Sequence, residues 1–452
     1  MRKRISMILI IAMMALVPTA CGSGETSENT NMSTVSAEQT QEDSTENTEA
    51  SKNESTSDNK NEATATANVT SDGMIDATDM FTERDLQQTA DTSEAKSITL
   101  KDGEDITISE AGVYVVSGSS KNATIYVEAG DEDKVQIVLD GVSMTNEDMP
   151  CIYVKSGDKV FVTTTGEESS LSVTGDFKDD GDTNLDAVIF SKEDLVLNGT
   201  GTLNITSSDN AVTSKDTLKV TGGNINIDCS GSGLEAHDAI EIADGNINIT
   251  NSNDGLHAED NDDDSVGYIY ICGGTFNINA KDDAIHATTI IQIDGGDYTL
   301  VGGECIEGTY IQINDGNIDI TASDDGINAA HKSSQYNPTF EMNGGNVTIS
   351  MGAGDTDGVD SNGDIIINGG TISVTGQSTF DYDGNAQHNG GTIIVNGEET
   401  DEIPNQMMGG EGGPGMDGQS GPGMNGQGGP GMNGQGGPGM DGQGGFGPGG
   451  PR

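Results

Sequence analysis

Acidic side chains return at one phase of this chain. They stand in Ser208-Asp209-Asn210, Asn253-Asp254, Asp282-Asp283, Glu304, Asp324-Asp325, Thr356-Asp357 and Asp381-Tyr382-Asp383, each beside a short apolar stretch. If those stretches are neighbouring strands, equivalent carboxylates lie about 4.8 Å apart. Two unit charges at that distance repel by about 1 kcal/mol in water and about 3.5 kcal/mol at an effective dielectric of 20. A row of them is costly unless cations intervene. Calcium suits such a row, because it takes roughly six to eight hard oxygen ligands in a flexible geometry. Asp254, Asp282, Asp283, Asp324, Asp325, Asp357 and Asp360 are therefore the expected metal ligands. The insertion Glu259-Asp260-Asn261-Asp262-Asp263-Asp264 adds donors beside Asp254. Tight turns favour Asp and Asn by themselves, so a single Asp-Gly pair needs no metal; the stacked set is what points to one.

A second set of polar residues follows the acids. His257 and His286 occupy equivalent positions between Glu235 on one side and Glu307, Asn328 and Asp360 on the other. An outward line of Glu, His, His, Glu, Asn and Asp can hydrogen-bond sugar hydroxyls, which makes His257, His286, Glu307 and Asn328 expected carbohydrate contacts. A solvated face would use the same residue types. Aromatics able to stack on sugar rings are few: there is no Trp, and Tyr268, Tyr270, Tyr310, Tyr336 and Tyr382 are the local candidates.

The elements that position these residues are given by repetition. A glycine-centred turn recurs with its second residue at Gly223, Gly245, Gly274, Gly296, Gly316, Gly345, Gly370 and Gly391, spaced by 20 to 29 residues. Two and four residues after each turn come apolar pairs such as Ile225/Ile227, Phe276/Ile278 and Ile318/Ile320. Three and five residues before it come others, such as Leu218/Val220 and Ile291/Ile293. Asn, Asp, Thr and Ser fill the places between, giving the period of two of a strand with one buried face. A third short strand carries the polar line, as in Gly255-Leu256-His257 and Ala284-Ile285-His286. Three short strands per repeat predict an all-β chain, a right-handed parallel β-helix of roughly ten coils. Apolar spacing of two excludes helical solenoids. The segment from Ile106 to Met144 reads as a β-rich cap, earlier coils run through Pro150-Cys151-Ile152 and Asp186-Ala187-Val188, and the broken copy at Ala386 and His388 marks the end.

Composition frames the rest. The chain carries a formal charge of −56, and after Arg84 no arginine appears until Arg452. Nucleic acid is excluded as a partner, because phosphates need a basic footprint. Met1-Arg2-Lys3-Arg4 and the apolar run from Ile5 to Val17 form a signal peptide. Val17-Pro18-Thr19-Ala20-Cys21 resembles a lipobox, so residues 1–21 are expected to end in an acylated Cys21 and to place the protein outside the cell, lipid-anchored to the bacterial membrane. Residues 22–94 form an acidic Ser/Thr/Glu/Asn linker, poor in large apolar groups at least to about residue 73, and are expected to be disordered. The β-helix then covers 95–400, and residues 401–452 form a flexible Gly/Pro/Met/Gln tail. Cys151, Cys229, Cys272 and Cys305 lack zinc spacing and read as buried free thiols.

The lipobox-like start, acidic linker, Gly-Gly-Asn-Ile-x-Ile coils and Asp-Asp-Gly-Ile-x-Ala turns resemble the clostridial carbohydrate-binding domain lipoproteins, which share a right-handed β-helix with polysaccharide lyases. The resemblance covers about residues 95 to 400 and implies calcium sites and binding of cellulose-like or acidic, pectin-like polysaccharides. A monomeric binding module without catalysis is the expectation. A calcium-dependent lyase or hydrolase of uronate polymers is the first rival, with Lys281 beside Asp282 and Asp283 as its candidate base. The second rival is a surface spacer or adhesin in which calcium is structural.

Overall fold

The computed structural model describes residues 73–260, 263–352 and 356–406. The signal peptide with Cys21, the linker before Gly73, Asn261 and Asp262 of the acidic insertion, and the Gly/Pro/Met/Gln repeats lie outside the described residues. Strand follows strand, and the described helix is the single turn Glu83–Leu86. No helix among the described residues is long and apolar enough to cross a membrane.

The strands form three parallel ladders that the chain visits in turn. The first ladder starts at Lys96–Thr99, passes Lys159–Thr164, Thr217–Val220 and Tyr268–Ile271, and ends at Ala386–His388. The second includes Glu168–Val173, Asn224–Asp228 and Thr275–Ala280 and ends at Thr392–Val395. The third runs from Ile106–Ile108 through Leu256–Ala258 to Phe380–Tyr382. Alternate residues point inward, and Ile240, Ile269, Ile291, Ile311, Phe340 and Ile365 build one buried column of the core. Aliphatic β-branched side chains suit this arrangement because they pack well on a pleated surface.

The turn between the first two ladders uses its glycine for a steric reason. Its second residue holds a left-handed φ, 90° at Gly223 and 109° at Gly296, which β-carbon residues avoid. Outward on the second ladder, Asn226, Asn248 and Asn277 donate to Asn204, Asn226 and Asn248 at 2.8, 3.3 and 2.7 Å, so the exposed face is held by an amide ladder.

Three sequence expectations are corrected. The segment from Ile106 to Met144 is no separate cap: its strands already lie in the ladders, with Gly112–Lys121 and Lys134–Asn146 paired in parallel across one shift of register after Ser117. The linker does not extend to residue 94. From Gly73 the chain lies across the outside of the first ladder, where Ile75, Met80, Phe81 and Leu86 pack on Tyr270, Ala243 and Cys272. Gln88 anchors it, accepting from the Gly199 amide at 2.9 Å and donating to the Thr221 carbonyl at 2.9 Å. The described end also passes 401: Glu398–Thr400 pairs antiparallel with Thr392–Val395, Ile403 is buried, and the Gln406 amide donates to the Phe380 carbonyl. All four described cysteines are free and buried, as their spacing suggests.

Candidate functional site

The outward row of the third ladder carries the candidate site. Register pairs Tyr126, Tyr153, Phe190, Thr213, Glu235, His257, His286, Glu307, Asn328, Asp360 and Asp381 one rung after another. The expected order Glu, His, His, Glu, Asn, Asp is the order observed. Upstream, the sequence reading runs the earlier coils through Pro150-Cys151-Ile152 and Asp186-Ala187-Val188. Pairing aligns Ile152 and Ile189 with the inward Val212, which puts Tyr153 and Phe190 on the outward row. Both rings are buried with Leu185 beside them, so they are not an open stacking platform. Of the tyrosines named from sequence, Tyr268 and Tyr310 donate to Glu241 and Glu341, Tyr270 is buried, Tyr336 is exposed and Tyr382 is half-buried.

The preceding turn folds an acid back onto each rung. Asp254 Oδ2 lies 3.0 Å from His257 Nδ1, and Asp283 Oδ2 lies 2.8 Å from His286 Nδ1. Glu307 Oε2 reaches His286 Nδ1 at 2.9 Å and Lys332 Nζ at 2.8 Å. Asn328 Nδ2 donates to Glu304 at 2.9 Å and Glu307 at 3.3 Å. The two imidazoles stack with centroids 4.6 Å apart and planes 7° apart. Glu259, at the start of the acidic insertion, sets Oε2 3.1 Å from His257 Nε2. That insertion is tied across the intervening coils, because the Asp264 side chain accepts from the Ser334 amide at 2.9 Å.

Charge divides this row. Burial opposes a proton on His257, but hydrogen bonds to Asp254 and Glu259 outweigh it and hold the imidazole up to about 10. His286 is likewise disfavoured by burial yet raised to about 9 by Asp283 and Glu307. Burial would raise Glu307, but His286 and Lys332 bring its carboxyl well below the usual range. Further along, the balance fails. Burial, with help from neighbouring acids, pushes Asp325 up to about 6 against a backbone hydrogen bond from Asp357. Burial and the charges of Asp325, Asp381 and Asp357 push Asp360 up to about 7. Lys332, which sequence reasoning passed over, pairs with Glu307 on this row, as Lys215 does with Glu235; Lys281 and Asp282 are exposed on the turn, as is Asp324.

Two groups among the described residues bring three potential metal-binding atoms within 4.8 Å of one another: His257, Glu259 and His286, and Asp283, His286 and Glu307. Asp283 is the one acid of the expected calcium set in either group. Asp254 touches the first through His257, while Asp325, Asp357 and Asp360 follow along the row.

An all-β solenoid of parallel ladders whose third ladder carries a row of acids and histidines is the class that fold and site define. The family model for carbohydrate-binding domain-containing proteins matches residues 102–309 and 302–403, and the chain belongs to that family. A carbohydrate-binding domain-containing protein of Acetivibrio thermocellus is 32% identical over 123 residues, which are 26% of this chain and 43% of the relative. The match thus spans less than half of that protein. Among solved structures, a polysaccharide lyase-like protein from C. thermocellum, a gadolinium derivative, is 24% identical with a TM-score of 0.41, covering 63% of this chain and 98% of its own.

Proposed function

We propose that this is an extracellular carbohydrate-binding module, held at the bacterial surface through an acylated Cys21, that lays a plant-type polysaccharide along the outward row of a right-handed parallel β-helix. The unbroken register from Glu235 to Asp381 carries this reading. It presents hydrogen-bonding side chains every rung, about 4.8 Å apart, a spacing comparable with one pyranose ring. His257, His286, Glu307 and Asn328 are the central residues: His257 is half-buried and the most open, while His286, Glu307 and Asn328 are buried and meet a glycan only once their neighbours give way.

Calcium belongs at the far end of the row. Asp254 and Asp283 already face imidazoles, whereas Asp325, Asp357, Asp360 and Asp381 form no ion pair among the described residues. Hard carboxylate oxygens without a counter-cation are what calcium takes. An acidic polymer approaching a protein of charge −56 is repelled, so pectin-like chains bind through bridging calcium and cellulose-like chains need none.

A lysine serving as a lyase base must be uncharged. Burial lowers the pKa of Lys332, but Glu307 outweighs it and keeps the ammonium charged, which favours binding over elimination. A glycan array run with and without EDTA tests the reading. Retention of plant polysaccharides is expected, with the uronate polymers lost in EDTA and neutral glucans kept. Retention of no glycan in either condition refutes the module and leaves the spacer.

A further inference from the structure

His257 and His286 are poor calcium ligands, since imidazole nitrogen is softer than the oxygens that cation prefers. Their geometry nevertheless has the marks of a metal centre. Each Nδ1 is committed to a carboxylate, Asp254 at 3.0 Å and Asp283 at 2.8 Å. This is the outer hydrogen bond that orients an imidazole and makes its other nitrogen a better donor. The rings stack 7° from parallel, and each turns its Nδ1 to the Asp three residues before it, which leaves the two Nε2 atoms as the free ends of the pair. His286 Nε2 is fully buried with no hydrogen-bond partner, on a residue only 6% exposed. Leaving such an atom unsatisfied costs about 1–3 kcal/mol. Beside His286 stand His257 and Glu259: one nitrogen of each imidazole and a Glu259 carboxylate oxygen lie within 4.8 Å of one another, and Glu259 Oε2 is 3.1 Å from His257 Nε2.

We propose that His257 Nε2, His286 Nε2 and Glu259 bind a borderline transition-metal ion of the zinc class, separate from the calcium sites, each imidazole releasing its Nε2 proton to solvent as the ion takes its place. Two imidazoles and one carboxylate form a three-ligand protein set of the kind that leaves a fourth position open. Ligands of one tetrahedral zinc at about 2.0–2.1 Å lie about 3.3 Å apart, so the rings tilt together and Glu259 closes over them. Glu259 follows Leu256–Ala258 outside any strand, where a shift of that size disturbs no ladder. The second group, Asp283, His286 and Glu307, is satisfied internally through His286 Nδ1 and Lys332, and so acts as the support behind the site.

The test uses untagged full-length protein stripped with a chelator, titrated at pH 8 with Co²⁺ as a visible probe and then with Zn²⁺. One equivalent of Co²⁺ with the bands of a four-coordinate ion is expected, displaced by Zn²⁺ but not by millimolar Ca²⁺. His257→Gln or His286→Gln should abolish it, and Asp283→Asn should weaken it about 10–100-fold. Where a variant fails to fold, imidazole nitrogen NMR of the wild-type protein decides: Zn²⁺ must shift Nε2 of both histidines and leave Nδ1 hydrogen-bonded. Co²⁺ uptake unchanged in the His257→Gln/His286→Gln protein, displacement by Ca²⁺, or unshifted Nε2 resonances would each overturn the proposal. Glycan retention on the array reads the polysaccharide proposal independently.

Discussion

Replacing Asp360 by Asn should change sign with calcium. Asp360 stands one rung from Asp381 and one from Asn328, and its carboxyl is pushed up to about 7 by burial and then by Asp325, Asp381 and Asp357. At a rung spacing of about 4.8 Å, a pair of carboxylates costs about 1 kcal/mol in water and about 3.5 kcal/mol at an effective dielectric of 20. Asp360 is half-buried, so about 1–2 kcal/mol is the working figure for the calcium-free protein at neutral pH. Asn keeps the shape and the turn preference but removes the charge. In EDTA the Asp360→Asn protein should therefore melt higher than wild type, by a few degrees at roughly 2–4 °C per kcal/mol. With calcium at a hundred times its dissociation constant, one site stabilises the wild type by about 2.7 kcal/mol, and the order of melting temperatures should reverse. Equal ionic strength of Na⁺ should not reverse it. Thermal melts of both proteins in the three buffers decide the matter. If Asp360→Asn is destabilising by the same amount in EDTA and in calcium, the acids are turn residues and the electrostatic reasoning is wrong.

Gln88→Leu should cost about 2–4 kcal/mol, since it strands the Gly199 amide and the Thr221 carbonyl, each worth about 1–3 kcal/mol when left unpaired. Urea unfolding measures this, and an unchanged midpoint argues against Gln88 as an anchor. Burial holds the thiols of Cys151, Cys229 and Cys305 up to about 12, so at pH 8 only about one in ten thousand is thiolate. An aromatic disulfide reagent should find them inert in the native protein and reactive after denaturation. Cys21→Ser should move the protein from the membrane fraction to the medium; an unchanged distribution contradicts the lipid anchor.

Much of the solenoid is legible because two local rules agree. The period-two apolar pattern names the buried face, and the turn glycines fix where each strand must break, since Gly223 and Gly296 need a left-handed backbone. Where both signals are present, from Leu218 onward, the outward row can be written down from sequence. Upstream the connections vary in length, enough to hide Tyr153 and Phe190. The segment from Gly73 to Gln88 is opaque for another reason: its apolar residues are few and aperiodic. They become intelligible through partners far along the chain, as when the Ile75 amide donates to Gln292 and the Met74 amide to Gln312. The acids were readable as acids, but not as partners of histidine. That pairing depends on the turn folding Asp254 and Asp283 back over their own strands.

One row of side chains thus holds two chemically different halves. From Glu235 to Glu307 the protein supplies its own cations, with Lys215, His257, His286 and Lys332 facing the carboxylates. From Asp325 to Asp381 the carboxylates face one another, and neutralisation must come from solution. Because register advances one residue per rung, Asp360 stands three rungs from His286, about 14 Å at the ladder spacing. That exceeds the Debye length of about 8 Å at physiological salt, and Glu307 and Asn328 lie between. Substitutions at the two ends should accordingly be additive to within about 0.5 kcal/mol. Asp360→Asn should leave Co²⁺ affinity unchanged, and His286→Gln should leave the calcium-dependent rise in melting temperature in place. Coupling larger than that would mean a single cation cluster spans the row, and the two-site description would have to be given up.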